Sequence, residues 1–166
     1  MLQMKLCGDL ILREHCAPVD DITPEILHNM NEMVKMMQAQ NGVGLAAPQV
    51  GITKRFLVMM NPDTGEVFKM INPKITSRSE EMAVIEEGCL SVLGPDNLPV
   101  YANVTRPAAV VVEWTNEHGE PKAAEMSGIA ARIVQHETDH LDGILFIDYL
   151  APTKREMVMR KVRRHK

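Results

Sequence analysis

His136 and His140, with Glu137 between them, are the first residues of this 166-residue sequence whose spacing carries chemistry. Residues four apart on an α-helix are displaced by about 40° around the axis, so both imidazoles can face one metal ion. Glu137 lies about 100° beyond His136 and borders the same face. Two neutral imidazoles and an adjacent carboxylate supply what metal-assisted hydrolysis needs: ligands for a Lewis acid, and a group that accepts and returns a proton. A catalytic centre of this type takes a third protein ligand and keeps one position open. A thermolysin-like arrangement would draw that ligand from a Glu farther along, where only Glu156 stands. The better candidate is upstream, Cys89 in Glu86-Glu87-Gly88-Cys89-Leu90-Ser91. Gly88 lets the backbone approach closely, and a thiolate suits a borderline divalent ion. Cys7 and Cys16 read instead as small buried apolar side chains.

Other segments must bring these groups together. Gly42-Val43-Gly44-Leu45-Ala46-Ala47-Pro48-Gln49 offers two glycines, small residues and one amide, the composition of a tight wall lined by backbone. It lacks the Lys-Ser/Thr of a phosphate loop. Thr23 can cap a helix with Pro24 in its first position, and Ile26, Leu27, Met30, Met33, Val34 and Met37 form a stripe at spacings of three and four. Asn41-Gly42 ends it. Arg55–Met60 and Val67–Ile71 flank a turn at 61–65, and Val110–Thr115 and Lys122–Met126 flank another at 116–119, so both read as hairpins. Met82–Glu86 is a further strand, whereas residues 93–106, with Pro95 and Pro99, read as a loop or irregular edge. Residues 9–22 read as extended and turn-containing. Ser127 can cap the helix that carries both histidines, and Gly143 ends it. Thr153 starts a short final helix. Helices and antiparallel hairpins are segregated, which predicts an α+β fold with antiparallel or mixed sheets around a central metal-binding helix.

The composition, 45% hydrophobic and 24% charged, is that of one globular domain and excludes wholesale disorder. No apolar run approaches the roughly 20 residues of a membrane span. The net charge of −4 is unevenly distributed. Residues 153–166 hold seven Lys/Arg against Glu156, while the preceding part holds 11 basic and 21 acidic side chains. The acidic body argues against a DNA-binding protein, and the basic tail is the one segment suited to phosphates. Three cysteines without an apolar leader predict unpaired thiols in a reducing, cytoplasmic setting.

Taken in order, the three motifs resemble those of the peptide deformylase family: G-x-G-L-A-A-x-Q at 42–49, E-G-C-L-S at 87–91 and H-E-x-x-H at 136–140. The likeness extends over about residues 5–160 and implies one catalytic domain across 1–166. It implies that Cys89, His136 and His140 ligate one divalent ion, iron(II) in the family's usual form, with nickel, cobalt or zinc as substitutes. Glu137 would take a proton from the attacking water and deliver it to the departing amine. The Gln49 amide and the Leu90 backbone N–H would receive the charge that grows on the formyl oxygen. Val43, Gly44 and Leu45 would pair with the backbone of an N-formylmethionyl peptide. The methionine side chain would enter a pocket near Val43, Ile85, Ile129, Ile133 and His136. Formate and a free amino terminus would leave. The family's C-terminal helix contacts the ribosome, which gives the basic tail a partner. One feature agrees independently: Ile129 and Ile133 precede His136 by seven and three residues, on the metal-facing side of their helix.

Two positions depart from the family pattern. Leu93 replaces a proline, and no Arg stands between Leu90 and Thr105 to reach the substrate backbone. Arg132 occupies a position that the family generally fills with an apolar residue, and it is expected at the pocket rim, its guanidinium offered to peptide carbonyls or an acidic side chain. The residues also fit a zinc peptidase built on the two histidines and a carboxylate, which would not need Cys89. A non-catalytic ribosome-associated relative would need neither Glu137 nor Gln49.

Overall fold

The computed structural model describes residues 1–165, with side chains through Val162. Helix α1 spans Pro24–Ala39. Thr23 caps it, its hydroxyl oxygen accepting the Ile26 N–H at 3.2 Å. The predicted stripe faces inward, with Met30, Met33 and Met37 wholly buried.

Strand β1 (Gly44–Ala46) leads through a single 3-10 turn to β2 (Phe56–Met60), β3 (Val67–Arg78), β4 (Met82–Glu87), β5 (Ala102–Pro107), β6 (Ala109–Thr115) and β7 (Pro121–Ser127). Five of these form one sheet in the order β1-β2-β3-β6-β7, and β4 and β5 form a second, two-stranded sheet. All strand pairs are antiparallel. Strand β2 explains the layering. Successive side chains point to opposite faces, so Phe56 and Val58 meet the methionines of α1 while Leu57 and Met59 meet the other side. There α2 (Gly128–Leu141) lays down Ala131, Val134 and Leu141. Strand β2 is thus buried between two helices, and it reads as an unbroken apolar run for that reason.

Helix α2 stops at Gly143, whose φ of +74° only glycine adopts without strain, and whose Cα lies against the Arg13 backbone. Arg55 fastens the same end, donating to the Leu141 carbonyl at 3.1 Å and to Asp142 at 2.8 Å. Helix α3 (Pro152–His165) buries Val158 and Val162 in a third cluster with Leu12, Val92, Val100, Phe146 and Cys89.

Four local expectations change. Residues 102–107 are a strand, β5, paired with β4 from Ala102↔Glu87 to Pro107↔Met82. Strand β3 continues past Ile71 to Arg78 by way of an irregularity at Asn72-Pro73, where Asn72 adopts φ +51°. The Asn72 amide brackets the Val19 backbone, accepting its N–H and donating to its carbonyl, which fixes the kink that Pro73 needs. Leu10–Arg13 form a 3-10 turn inside the segment read as extended. The final helix is as long as α2, at 14 residues each. Its basic tail extends to Lys166, which lies outside the described residues together with the side chains of Arg163 and Arg164.

The Thr23 cap supplies a measurable share of stability. Thr23→Ala is expected to lower the unfolding free energy by about 1 kcal/mol, read as a lower urea midpoint at unchanged m-value.

Candidate metal centre

Cys89 follows β4 on a tight turn, closed by the Val92 N–H donating to the Cys89 carbonyl at 3.0 Å. The turn wraps the sulfur: the Ser91 N–H points at Cys89 Sγ at 3.4 Å. Across from it, α2 projects His136 and His140, ring centroids 5.1 Å apart. His140 Nε2 lies 3.4 Å from the sulfur. One donor atom from each of Cys89, His136 and His140 lies within 4.8 Å of the others, and all three residues are buried. A soft sulfur and two imidazole nitrogens match a borderline divalent ion. Glu137 Oε1 is buried, has no hydrogen-bonding partner among the described residues, and stands 4.0 Å from His140 Nε2. The donor set and this unsatisfied oxygen fit a metal centre with a water-handling carboxylate at its side.

Behind the ligands sits Glu87, 5% exposed. Its Oε1 accepts the His136 Nδ1–H at 2.8 Å, which leaves Nε2 to face the centre. Arg106 grips the same carboxylate with Nε at 2.7 Å and Nη2 at 3.1 Å, and Arg132 donates to it at 2.7 Å. Burial alone would raise the Glu87 pKa, but the hydrogen bonds from His136 and Arg106 outweigh it and hold the carboxyl at about 2. Burial likewise opposes a charge on His136, yet Glu137, Cys89 and Glu87 hold its pKa well above the ordinary imidazole range. His140 goes the other way, pushed well down by burial and then by the His136 charge. Glu137 is pushed up to about 7, chiefly by burial and against the pull of His136.

Gln49 closes another wall. Its Oε1 accepts the Ala46 N–H at 2.9 Å, and its Nε2 donates to Ser91 Oγ at 3.1 Å and points at Cys89 Sγ at 3.5 Å. The amide is therefore fixed at both ends, its nitrogen shared between the Ser91 hydroxyl and the sulfur. Gly44 is required by proximity: a Cβ there would collide with the Glu137 carboxylate, lying 2.7 Å from its Cγ. Gly88 allows the Tyr101 ring to lie on the backbone in the same way. These groups border a cavity of about 390 Å³ that opens over Cys89, His136 and Glu137.

A profile of the polypeptide deformylase family matches residues 1–156. The peptide deformylase of Rhizobium meliloti (strain 1021) is 44% identical over 156 residues, covering 92% of this chain and 87% of that one. The chain belongs to the polypeptide deformylase family. Solved structures agree with this. The Ehrlichia chaffeensis peptide deformylase in complex with actinonin superposes with a TM-score of 0.93 at 34% identity, covering 100% of this chain and 98% of that one. A probable peptide deformylase from Synechococcus phage S-SSM7 does so with a TM-score of 0.81 at 44% identity, covering 90% and 100%.

Seen against the three family motifs, the fold brings Val43, Gly44, Gln49, Cys89, Leu90, Ile129, Ile133, His136 and Glu137 to one cavity wall or another. Leu45 and Ile85 are not among its lining residues. Leu45 is wholly buried on the α1 side of the sheet, because strand alternation turns it away from its neighbour Gly44. Ile85 sits within the two-stranded sheet opposite Val104. Arg132 borders the cavity, but its guanidinium is not displayed at a rim. It is buried and donates to Glu87, to the Val104 carbonyl and to the Ala83 carbonyl. Glu87, Arg106 and Ser91 join the site without a role expected from the sequence. Their signal was present: an acid two residues before the cysteine, an arginine in a Val-Thr-Arg strand, and the hydroxyl that closes the same motif.

The contact at Gly44 yields a test. Gly44→Ala is expected to displace the Glu137 carboxylate and reduce kcat at least about 100-fold, the usual scale for misplacing a reacting group. Circular dichroism and metal content are expected to stay as in the parent protein.

Proposed function

We propose that this chain hydrolyses the formyl amide of N-formylmethionyl peptides at the cavity bordered by Cys89, His136 and Glu137, releasing formate and a free amine. Deformylation of new peptides is the activity of its family. The observation that carries the assignment to these residues is the unsatisfied Glu137 oxygen beside three mutually close ligand atoms, in a cavity that the Gln49 side chain also lines.

A divalent ion held by Cys89, His136 and His140 supplies Lewis acidity toward the formyl oxygen and the attacking water. Everything else falls to the chain. Glu137, whose unpartnered Oε1 stands beside the ligand atoms, can take the proton of the attacking water and return it to the departing nitrogen, so one group serves both half-steps. The water oxygen bonds to the formyl carbon, the C–N bond breaks, and the proton leaves on the amine. Gln49 Nε2 and the Leu90 N–H are the donors we assign to the developing oxyanion, each worth about 3–4 kcal/mol of barrier. Strand β1 is an edge strand, so the open side of Gly44 can pair with an extended peptide. Val43, Ile129 and Ile133 form the apolar side of the cavity suited to an unbranched thioether.

We take iron(II) as the working ion, residues 1–166 as one catalytic domain, and the cytoplasm as its location. No helix among the described residues is long and apolar enough to cross a membrane. Lys154, Arg155, Arg160 and Lys161 of α3 are exposed, while Val158 and Val162 are buried in the core. This arrangement supports docking of the tail on ribosomal phosphates.

Protein loaded with iron under anaerobic conditions is expected to release formate from formyl-Met-peptide. Cys89→Ser is expected to lose both tight metal binding and formate release; parent-level metal binding in this variant would favour the zinc-peptidase reading instead. Cosedimentation with ribosomes is expected to weaken steeply with salt and to disappear on deleting residues 153–166. Equal binding without the tail would refute that docking.

A further inference from the structure

Strands β4 and β5 pair with each other and, among the described residues, with no strand of the larger sheet. They run directly into β3 and β6, joined there by the Ser79 N–H to Ala109 and Ala108 N–H to Glu81 backbone bonds at 2.9 Å, and what fastens them to the histidine-bearing helix is a polar stripe on α2. Arg132, Gln135, His136 and Asp139 follow one another at helical spacing along one side of the helix. Gln135 donates to the Pro107 carbonyl at 3.0 Å, His136 to Glu87 at 2.8 Å, and Asp139 accepts from Arg106 at 2.7 Å. Arg132 reaches furthest. Its Nη1 donates to Glu87 at 2.7 Å and to the Val104 carbonyl of β5 at 2.8 Å, and its Nη2 donates to the Ala83 carbonyl of β4 at 2.8 Å. One side chain, 4% exposed, thus ties both strands and the carboxylate that orients His136.

Cys89 stands two residues beyond the end of β4, so the place of its sulfur follows from where the hairpin docks. The imidazoles, by contrast, are fixed by α2 on the large sheet. Sulfur and nitrogens therefore come from different elements, and among the contacts that bring them together is the joint between the hairpin and α2. We infer that Arg132 is a positioning residue of the metal centre: it sets the hairpin on α2 so that Cys89 meets His136 and His140, and it does not touch the peptide. This inference rests on the metal-centre reading above. A planar guanidinium with forked donors suits three acceptors in different directions, which neither a methionine nor a lysine reproduces. Without it, two carbonyls and one carboxylate oxygen each lose a buried donor.

The test uses full-length cobalt-loaded protein with Arg132→Met and Arg132→Lys. Expected for Arg132→Met are a 10–100-fold weaker hold on cobalt, measured by transfer to a chelator, and a weakened sulfur-to-cobalt absorption band. Amide exchange is expected to quicken in β4 and β5 while α2 and the five-stranded sheet keep their protection. Arg132→Lys is expected to fall between the parent protein and Arg132→Met, and it carries the test if the methionine variant does not fold. The ratio of KM values for acidic and neutral formylmethionyl peptides is expected to stay constant. Parent-like cobalt retention in the variants, exchange that rises evenly over the whole chain, or a KM increase confined to acidic peptides would each overturn the inference. A parent protein that shows no sulfur-to-cobalt band would instead overturn the metal-centre reading itself.

Discussion

The carboxylate of Glu87 is enclosed by three cationic or proton-donating partners drawn from β5 and α2, with almost no access to solvent. A buried charge of this kind persists only when its partners are all in place, and removing one typically costs 3–5 kcal/mol because the remainder is stranded. Glu87, Arg106, Arg132, His136 and Asp139 consequently behave as one unit. Tyr149 extends it, donating its hydroxyl to Asp139 at 2.7 Å while Arg106 lies 4.5 Å from its ring centroid. The unit ties the cysteine-bearing hairpin, the histidine-bearing helix and the segment after that helix to one arrangement. Hydrophobic burial gives these elements their existence, but it does not by itself specify the geometry at the sulfur.

Helix α2 divides its circumference to match. Ala131, Val134 and Leu141 are dissolved in the apolar layer under the sheet, and Arg132, Gln135, His136 and Asp139 meet polar groups on the other side. Phe146 stacks against the His136 ring at 6.0 Å, giving the imidazole an apolar backing. This combination of a carboxylate at one nitrogen and an aromatic ring along one face leaves the ligand little rotational freedom.

The legible parts of the sequence were those in which cause and effect lie close together. Thr23-Pro24-Glu25 and the methionine stripe mark α1 because caps and periodicity are local signals, and the two hairpins are marked by their turn residues. The ligand motifs were legible because each is compact. Strand β5 was not. Its inward positions are Ala102, Val104 and Arg106, and a charged residue among them breaks the apolar alternation unless its acid is known to wait across the sheet. Arg132 misled for the same reason, since Glu87 stands 45 positions away along the chain. Ile85 was assigned to the cavity beside Glu86 and Glu87, which do line it, although adjacent residues on a strand face opposite ways. Long-range partners decide these positions, and a single sequence does not display them.

The loop between Val92 and Val100 is closed at its base. The Val100 N–H donates to the Val92 carbonyl at 3.0 Å, and Leu93 bridges to Pro99. Its tip, Pro95-Asp96-Asn97, is exposed, and Leu98, Pro99 and Tyr101 form part of the cavity mouth. Because the pinch lies between that tip and the paired strands, residues gained or lost at the tip leave the register of β4 and β5 untouched. Evolution can thus remodel the lip of the cavity by insertion and deletion while the reactive groups beneath it stay where they are.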